Sequence, residues 1–107
     1  MDNKNNLAIK QMQTEAYSII EKWNKKNNRI HDKKTIFPHL VEEVGELARE
    51  YNHFIDNWRH DGDKEKLSEE LVDVLIQIFD FATDFDIDLE STFKKKIQKL
   101  KERFGLE

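Results

Sequence analysis

The sequence contains no cysteine. That removes disulfides, zinc–thiolate sites and thiol nucleophiles together, and it suits a reducing compartment. One proline and three glycines, set against 37% charged and 37% hydrophobic residues, give the profile of a helical, water-soluble chain. No apolar run approaches the length of a membrane span, and the polar N-terminal stretch lacks the apolar centre of a signal peptide. The expected location is therefore cytoplasmic. With a net charge of −4, the chain has no overall positive field, so binding to a nucleic-acid polymer is not expected. Ser, His and Asp residues occur without any arrangement that suggests a nucleophilic triad. At 107 residues the chain has room for one domain, 1–107, with residues 1–6 expected to fray.

What remains is helical periodicity. Ile9, Met12, Ala16, Ile19, Ile20 and Trp23 follow helical spacing and predict a first helix over about Leu7 to Asn24. A polar, basic loop follows to Lys34, broken at Asn27-Asn28 and long enough to suggest a functional connection. Thr35 and Pro38 are expected to open the second helix, since proline is accepted in a first turn. Its period runs through Leu40, Val44, Leu47, Tyr51, Phe54, Ile55 and Trp58 to about Arg59. Asp61-Gly62-Asp63 reads as a turn with Asp63 capping a third helix, about Lys64 to Asp84. Asp88 then caps a fourth, Leu89 to Phe104, and Gly105 terminates it. No strand pattern or internal repeat stands out. The expected fold is all-α, a four-helix bundle.

Two acidic pairs sit inside these apolar patterns: Glu43 with Glu46, and Glu70 with Asp73. Residues three apart share a helix face, so each pair is a two-pronged oxygen claw. Carboxylates that converge on an interior need a compensating charge. A hard divalent cation supplies it, and Mg²⁺ typically joins carboxylates to substrate phosphates. Glu50 lies in the same arc as Glu43 and Glu46, whereas Glu42 and Arg49 point away. Di-iron bundles use a Glu-x-x-His pair, and none of His31, His39, His53 or His60 stands three residues after a glutamate. The histidines read as surface or loop residues, and Trp23 and Trp58 as core. On the last helix Lys96, Lys99 and Arg103 edge the apolar seam and are candidates for phosphate contact. Lys94, Lys95 and Lys101 point elsewhere.

At these residues the chain resembles a family. Glu42-Glu43-Val44-Gly45-Glu46 followed by Glu70-Leu71-Val72-Asp73 matches the EExxE…ExxD pattern of the MazG-like, all-α nucleoside triphosphate pyrophosphohydrolases. Thr35-Ile36-Phe37 before His39-Leu40-Val41, and Asp86-Ile87-Asp88-Leu89 before a basic last helix, are similar to small MazG-like proteins. The likeness covers roughly residues 35–104. It implies Mg²⁺-dependent cleavage of a nucleoside triphosphate between the α- and β-phosphates, with Mn²⁺ a possible substitute. By the resemblance Glu43, Glu46, Glu70 and Asp73 hold the metal. A neighbouring carboxylate, Glu42, Glu46 or Glu50, would orient the attacking water. The substrates implied are standard or modified nucleotides, or one narrow substrate such as dUTP, dCTP or phosphoribosyl-ATP.

A non-catalytic helical interaction module is the competing reading. Either way, association is expected. The third helix is apolar over most of its circumference, with Val72, Ile76 and Phe79 opposite Leu67, Leu71, Val74 and Ile78. One bundle core cannot cover both sets, and a homodimer or homotetramer would.

Overall fold

The computed structural model describes residues 8–29, 32–57 and 64–106. Four helices make it up: α1 (Ile9–Lys26), α2 (Lys33–Asn57), α3 (Lys64–Asp84) and α4 (Leu89–Phe104). No strand occurs among the described residues, and none of the described helices is long and apolar enough to cross a membrane. α3 is the centre of the arrangement, packed against α2 on one side and α1 on another, while α1 carries α4. The expectations for residues 1–6, Trp58, His31, His60 and the Asp61-Gly62-Asp63 turn lie outside the described residues.

Local chemistry sets the boundaries. α1 runs two residues past its expected end and is closed by Asn27, whose side-chain amide donates to the Trp23 carbonyl at 2.9 Å. Asn28 then takes a positive φ of 53°, a conformation asparagine tolerates better than most residues. α2 starts earlier than its proline suggests. The Asp32 carboxylate accepts the Lys34 N–H at 2.9 Å, and the Asp32 carbonyl accepts from the Thr35 backbone and hydroxyl. Pro38 consequently falls in the second turn of α2, where it forgoes one intrahelical hydrogen bond.

The α3–α4 corner is a tight reversal. Ile87 N–H donates to the Ala82 carbonyl and Asp86 N–H to that of Thr83, with Asp86 at φ 55°. These are the paired bonds of a Schellman ending. The Asp88 carboxylate accepts the Ser91 N–H, and Gly105 closes α4 at φ 64°. Gln13 ties this corner to α1. Its amide nitrogen donates to the Ile87 carbonyl at 2.8 Å and the Thr83 hydroxyl at 3.1 Å, and its amide oxygen accepts the Leu89 N–H at 3.2 Å. Gln13 is buried, so these bonds replace water for every polar atom it carries inward.

The buried apolar core among the described residues is small: Ala16, Ile36, Phe79 and Ala82. An aromatic run, Phe37–Phe81–Phe85, extends it, with ring centroids 6.4 and 5.2 Å apart. This corrects the expected division of α3. Phe79 is 5% exposed and Ile76 half-buried, whereas Leu71, Val72, Leu75 and Ile78 are exposed. Phe79 and Ile76 are thus covered but Val72 of the same set is not, and the exposed Leu71, Val72, Leu75 and Ile78 all precede the buried Phe79, Asp80 and Ala82 toward the C-terminal end of α3. Trp23 is half-exposed rather than core.

Candidate functional site

Ile36, His39, Glu43, Glu46 and Glu50 recur at intervals of three and four along α2, as do Glu70, Asp73, Gln77 and Asp80 along α3. That spacing puts each set on one helix face. The two faces meet in antiparallel fashion. Phe37 lies against Phe81 near one end, and Glu46 and Glu50 act on Glu70 near the other.

In the middle of this seam one carboxylate oxygen each from Glu43, Glu46 and Glu70 lies within 4.8 Å of the others. Glu43 and Glu70 are half-buried and Glu46 is exposed. Burial and then the charges of Glu46, Asp73 and Glu70 push the Glu43 carboxyl above the usual range, helped by a hydrogen bond shared with Glu46. The Glu70 carboxyl is raised by desolvation first, then by Asp73, Glu46, Glu50 and Glu69. All the charges acting on these two groups carry the same sign. Three oxygens here, Glu43 Oε2, Glu50 Oε1 and Glu70 Oε2, are shielded from water and lack a hydrogen-bond partner. Crowded, partly dehydrated oxygens of one charge form a donor set that suits a hard divalent cation.

The other expected site residues lie around this cluster at different distances. Asp73 is exposed and stands outside the tight trio, although its charge reaches both Glu43 and Glu70. Glu50 is likewise outside the trio, and its charge acts on Glu70. Glu42 is exposed and contributes no charge to either raised group. Lys96, Lys99 and Arg103 are exposed on α4, which packs chiefly on α1, and the Arg103 guanidinium rests 5.4 Å from the Phe104 ring.

A cavity of about 440 Å³ continues the seam beyond the carboxylates, walled by α1, α2, α3 and the loop after α1. His39, one turn before Glu43, and Gln77, one turn after Asp73, line it together with Asp80. Asp80 is 3% exposed, a burial that its place on an acidic stripe gave no reason to expect. Arg29 and Asp32 contribute from the loop and its end, with the Arg29 guanidinium 4.8 Å from the Trp23 ring.

The family model of the MazG nucleotide pyrophosphohydrolase domain matches residues 31–104, well over half of the chain. The chain belongs to the MazG family. No curated protein and no solved structure matches it. A MazG domain is a nucleotide pyrophosphohydrolase, an enzyme that hydrolyses an acid anhydride bond. The family generally depends on a divalent metal, and the acidic trio of this chain is a site where one fits.

Proposed function

We propose that this MazG chain hydrolyses nucleoside triphosphates at the α–β anhydride, releasing a nucleoside monophosphate and pyrophosphate with Mg²⁺ as cofactor, or Mn²⁺ in its place. The observation that carries the reading is the trio Glu43, Glu46 and Glu70, with oxygens within 4.8 Å, opening beside a cavity of about 440 Å³. That volume lies within the usual range of small-molecule sites, roughly 300–1,000 Å³. Those three carboxylates, with Asp73 beside them, would hold the cation. When bound, it neutralises phosphate charge and makes nearby water easier to deprotonate.

The chain's own part is positioning and proton transfer. Water adds across the anhydride: its oxygen bonds to one phosphorus, and the bridging oxygen departs with the bonding electron pair. Of the carboxylates near the trio, Glu50, one turn after Glu46 and close enough for its charge to act on Glu70, is the candidate to orient that water and take its proton. Glu42, exposed on the far side, is not. The absence of cysteine agrees with work in the cytoplasm.

The functional unit on this reading is at least a homodimer. On α3 the apolar side chains Leu71, Val72, Leu75 and Ile78 are exposed. The uncovered α3 stripe is the natural place for a second copy. Lys96, Lys99 and Arg103, held away from the trio on α4, would then contact substrate phosphates across the interface.

Product analysis by phosphorus NMR tests the chemistry. Mg²⁺-loaded protein should convert a triphosphate into monophosphate and pyrophosphate, and chelation should stop it. Formation of diphosphate and orthophosphate would contradict the assignment.

A further inference from the structure

A single side chain on α1 joins the three parts of the α3–α4 corner. Thr83, in the last turn of α3, donates its hydroxyl to the Phe79 carbonyl at 2.9 Å, which leaves its oxygen to accept from the Gln13 amide. Ile87 closes the reversal, and its carbonyl accepts from the same amide nitrogen. Leu89 is the first residue of α4, and its N–H is one of those that a helix cannot satisfy internally. The Gln13 oxygen accepts it. With a carbonyl on one side and an N–H on the other, only one orientation of the amide pairs every donor with an acceptor.

Beyond this corner α4 has little to hold it. Among the described residues of α4 none is buried. Phe93, Ile97 and Phe104 are exposed along its length, and the helix packs chiefly on α1. Its direction is therefore set mainly where it begins. At about 1.5 Å per residue, Lys96, Lys99 and Arg103 lie roughly 10, 15 and 21 Å along the helix from Leu89. A tilt of about 10° at the corner would move Arg103 by roughly 4 Å. Misplacement by about 1 Å is already enough to impair a positioned contact.

We propose that Gln13 is a positioning residue for triphosphate binding: it fixes the angle at which α4 leaves the corner, and thereby where Lys96, Lys99 and Arg103 meet the phosphates. The inference rests on the reading that these three cations contact substrate. Gln13 acts through α4 and not on the nucleotide.

The test uses Gln13→Met, which keeps the length of the side chain and removes all three bonds, and Thr83→Val, which removes one. In Gln13→Met the KM for a nucleoside triphosphate should rise about tenfold or more, equivalent to losing one charge-assisted contact, while kcat and Mg²⁺ affinity are kept. Thr83→Val should show the same split to a smaller degree, and it carries the test if Gln13→Met folds poorly. Amide hydrogen exchange should quicken over residues 89–104 and stay unchanged along α2. In a protein that already carries Lys96→Ala, Lys99→Ala and Arg103→Ala, adding Gln13→Met should raise KM no further, because the cations it places are gone. A further rise in that background, or a fall in kcat with KM unmoved, would overturn the proposal and leave Gln13 a packing residue. The reading beneath it fails separately. A wild-type KM in the triple α4 variant would remove the phosphate contacts themselves. A raised KM there, with KM unmoved in Gln13→Met and Thr83→Val, would overturn the positioning role alone.

Discussion

The α2–α3 seam has two halves made by the same pair of helices in opposite ways. Toward Ile36, Phe37 and Phe81 it closes on apolar and aromatic side chains, with Ile36 buried. Toward Glu43, Glu46 and Glu70 it brings together carboxylates, two of which burial and then mutual repulsion raise above their ordinary range. The first half stabilises the pairing, and the second is tolerated because the first holds it. Departures from good packing are expected where a protein handles a ligand. On the proposed reading the first half is the scaffold and the second the site.

Substitutions in the acidic half should break this contrast most sharply. Glu43→Gln, Glu46→Gln, Glu70→Gln and Asp73→Asn should each reduce turnover by more than about 100-fold, since even residues one shell further out cost 10–100-fold at metal sites. Steady-state rates at saturating Mg²⁺ check this. The same changes relieve like-charge repulsion, so the metal-free fold should be no less stable. A rate loss accompanied by lower metal-free stability would mean that the trio is part of the scaffold.

The next test concerns the uncovered side of α3. Leu75→Asp places a charge on the exposed stripe and should give a folded monomer of about 12.9 kDa with reduced activity, measured by light scattering. Ile76→Asp, one residue along and half-buried against the chain's own core, should lower thermal stability instead. On α4, Lys96→Ala, Lys99→Ala and Arg103→Ala should raise KM several-fold without changing metal affinity. Equal KM values would detach α4 from the phosphates. The smallest effect belongs to Gly45, where an added Cβ meets nothing within 4 Å. Gly45→Ala should stabilise the metal-free protein by up to about 1 kcal/mol, read from denaturant unfolding.

Features that depend on local chemistry were legible in the sequence. The bounds of α3 and α4, the Asp88 cap and the Gly105 ending follow from neighbouring residues and appear where expected. The three-residue spacing of the acidic pairs was equally readable, because helix geometry alone puts such residues on one face. Long-range choices were not. A helical wheel sorts α3 by side but not by position along its length, so it did not show that Phe79 near the C-terminal end would be buried while Val72 on the same face stays exposed. Gln13 gave no signal, since its partners Thr83, Ile87 and Leu89 lie 70, 74 and 76 residues away along the chain. Asp80 shares its stripe with the site acids, and only the closure of α1, α2 and α3 shows that it ends in a cavity. Pro38 drew attention from Asp32, the residue that opens α2.

The central claim is that the acidic half of the seam is completed by a divalent cation, and the thermal unfolding midpoint tests it most directly. In chelator, Glu43 and Glu70 keep their protons to higher pH in the folded chain than in the unfolded one. Between the ordinary carboxylate range and their raised values the native state thus binds more protons, and stability falls as pH rises through that window. Below it the penalty is absent, and above it the penalty is complete. Mg²⁺ should raise the midpoint at about pH 8 and do so much less at about pH 5, where protons compete for the same oxygens. Glu43→Gln should shrink both the pH dependence and the Mg²⁺ response. A midpoint unmoved by Mg²⁺ or Mn²⁺ at about pH 8, with wild type and Glu43→Gln alike, would contradict the account.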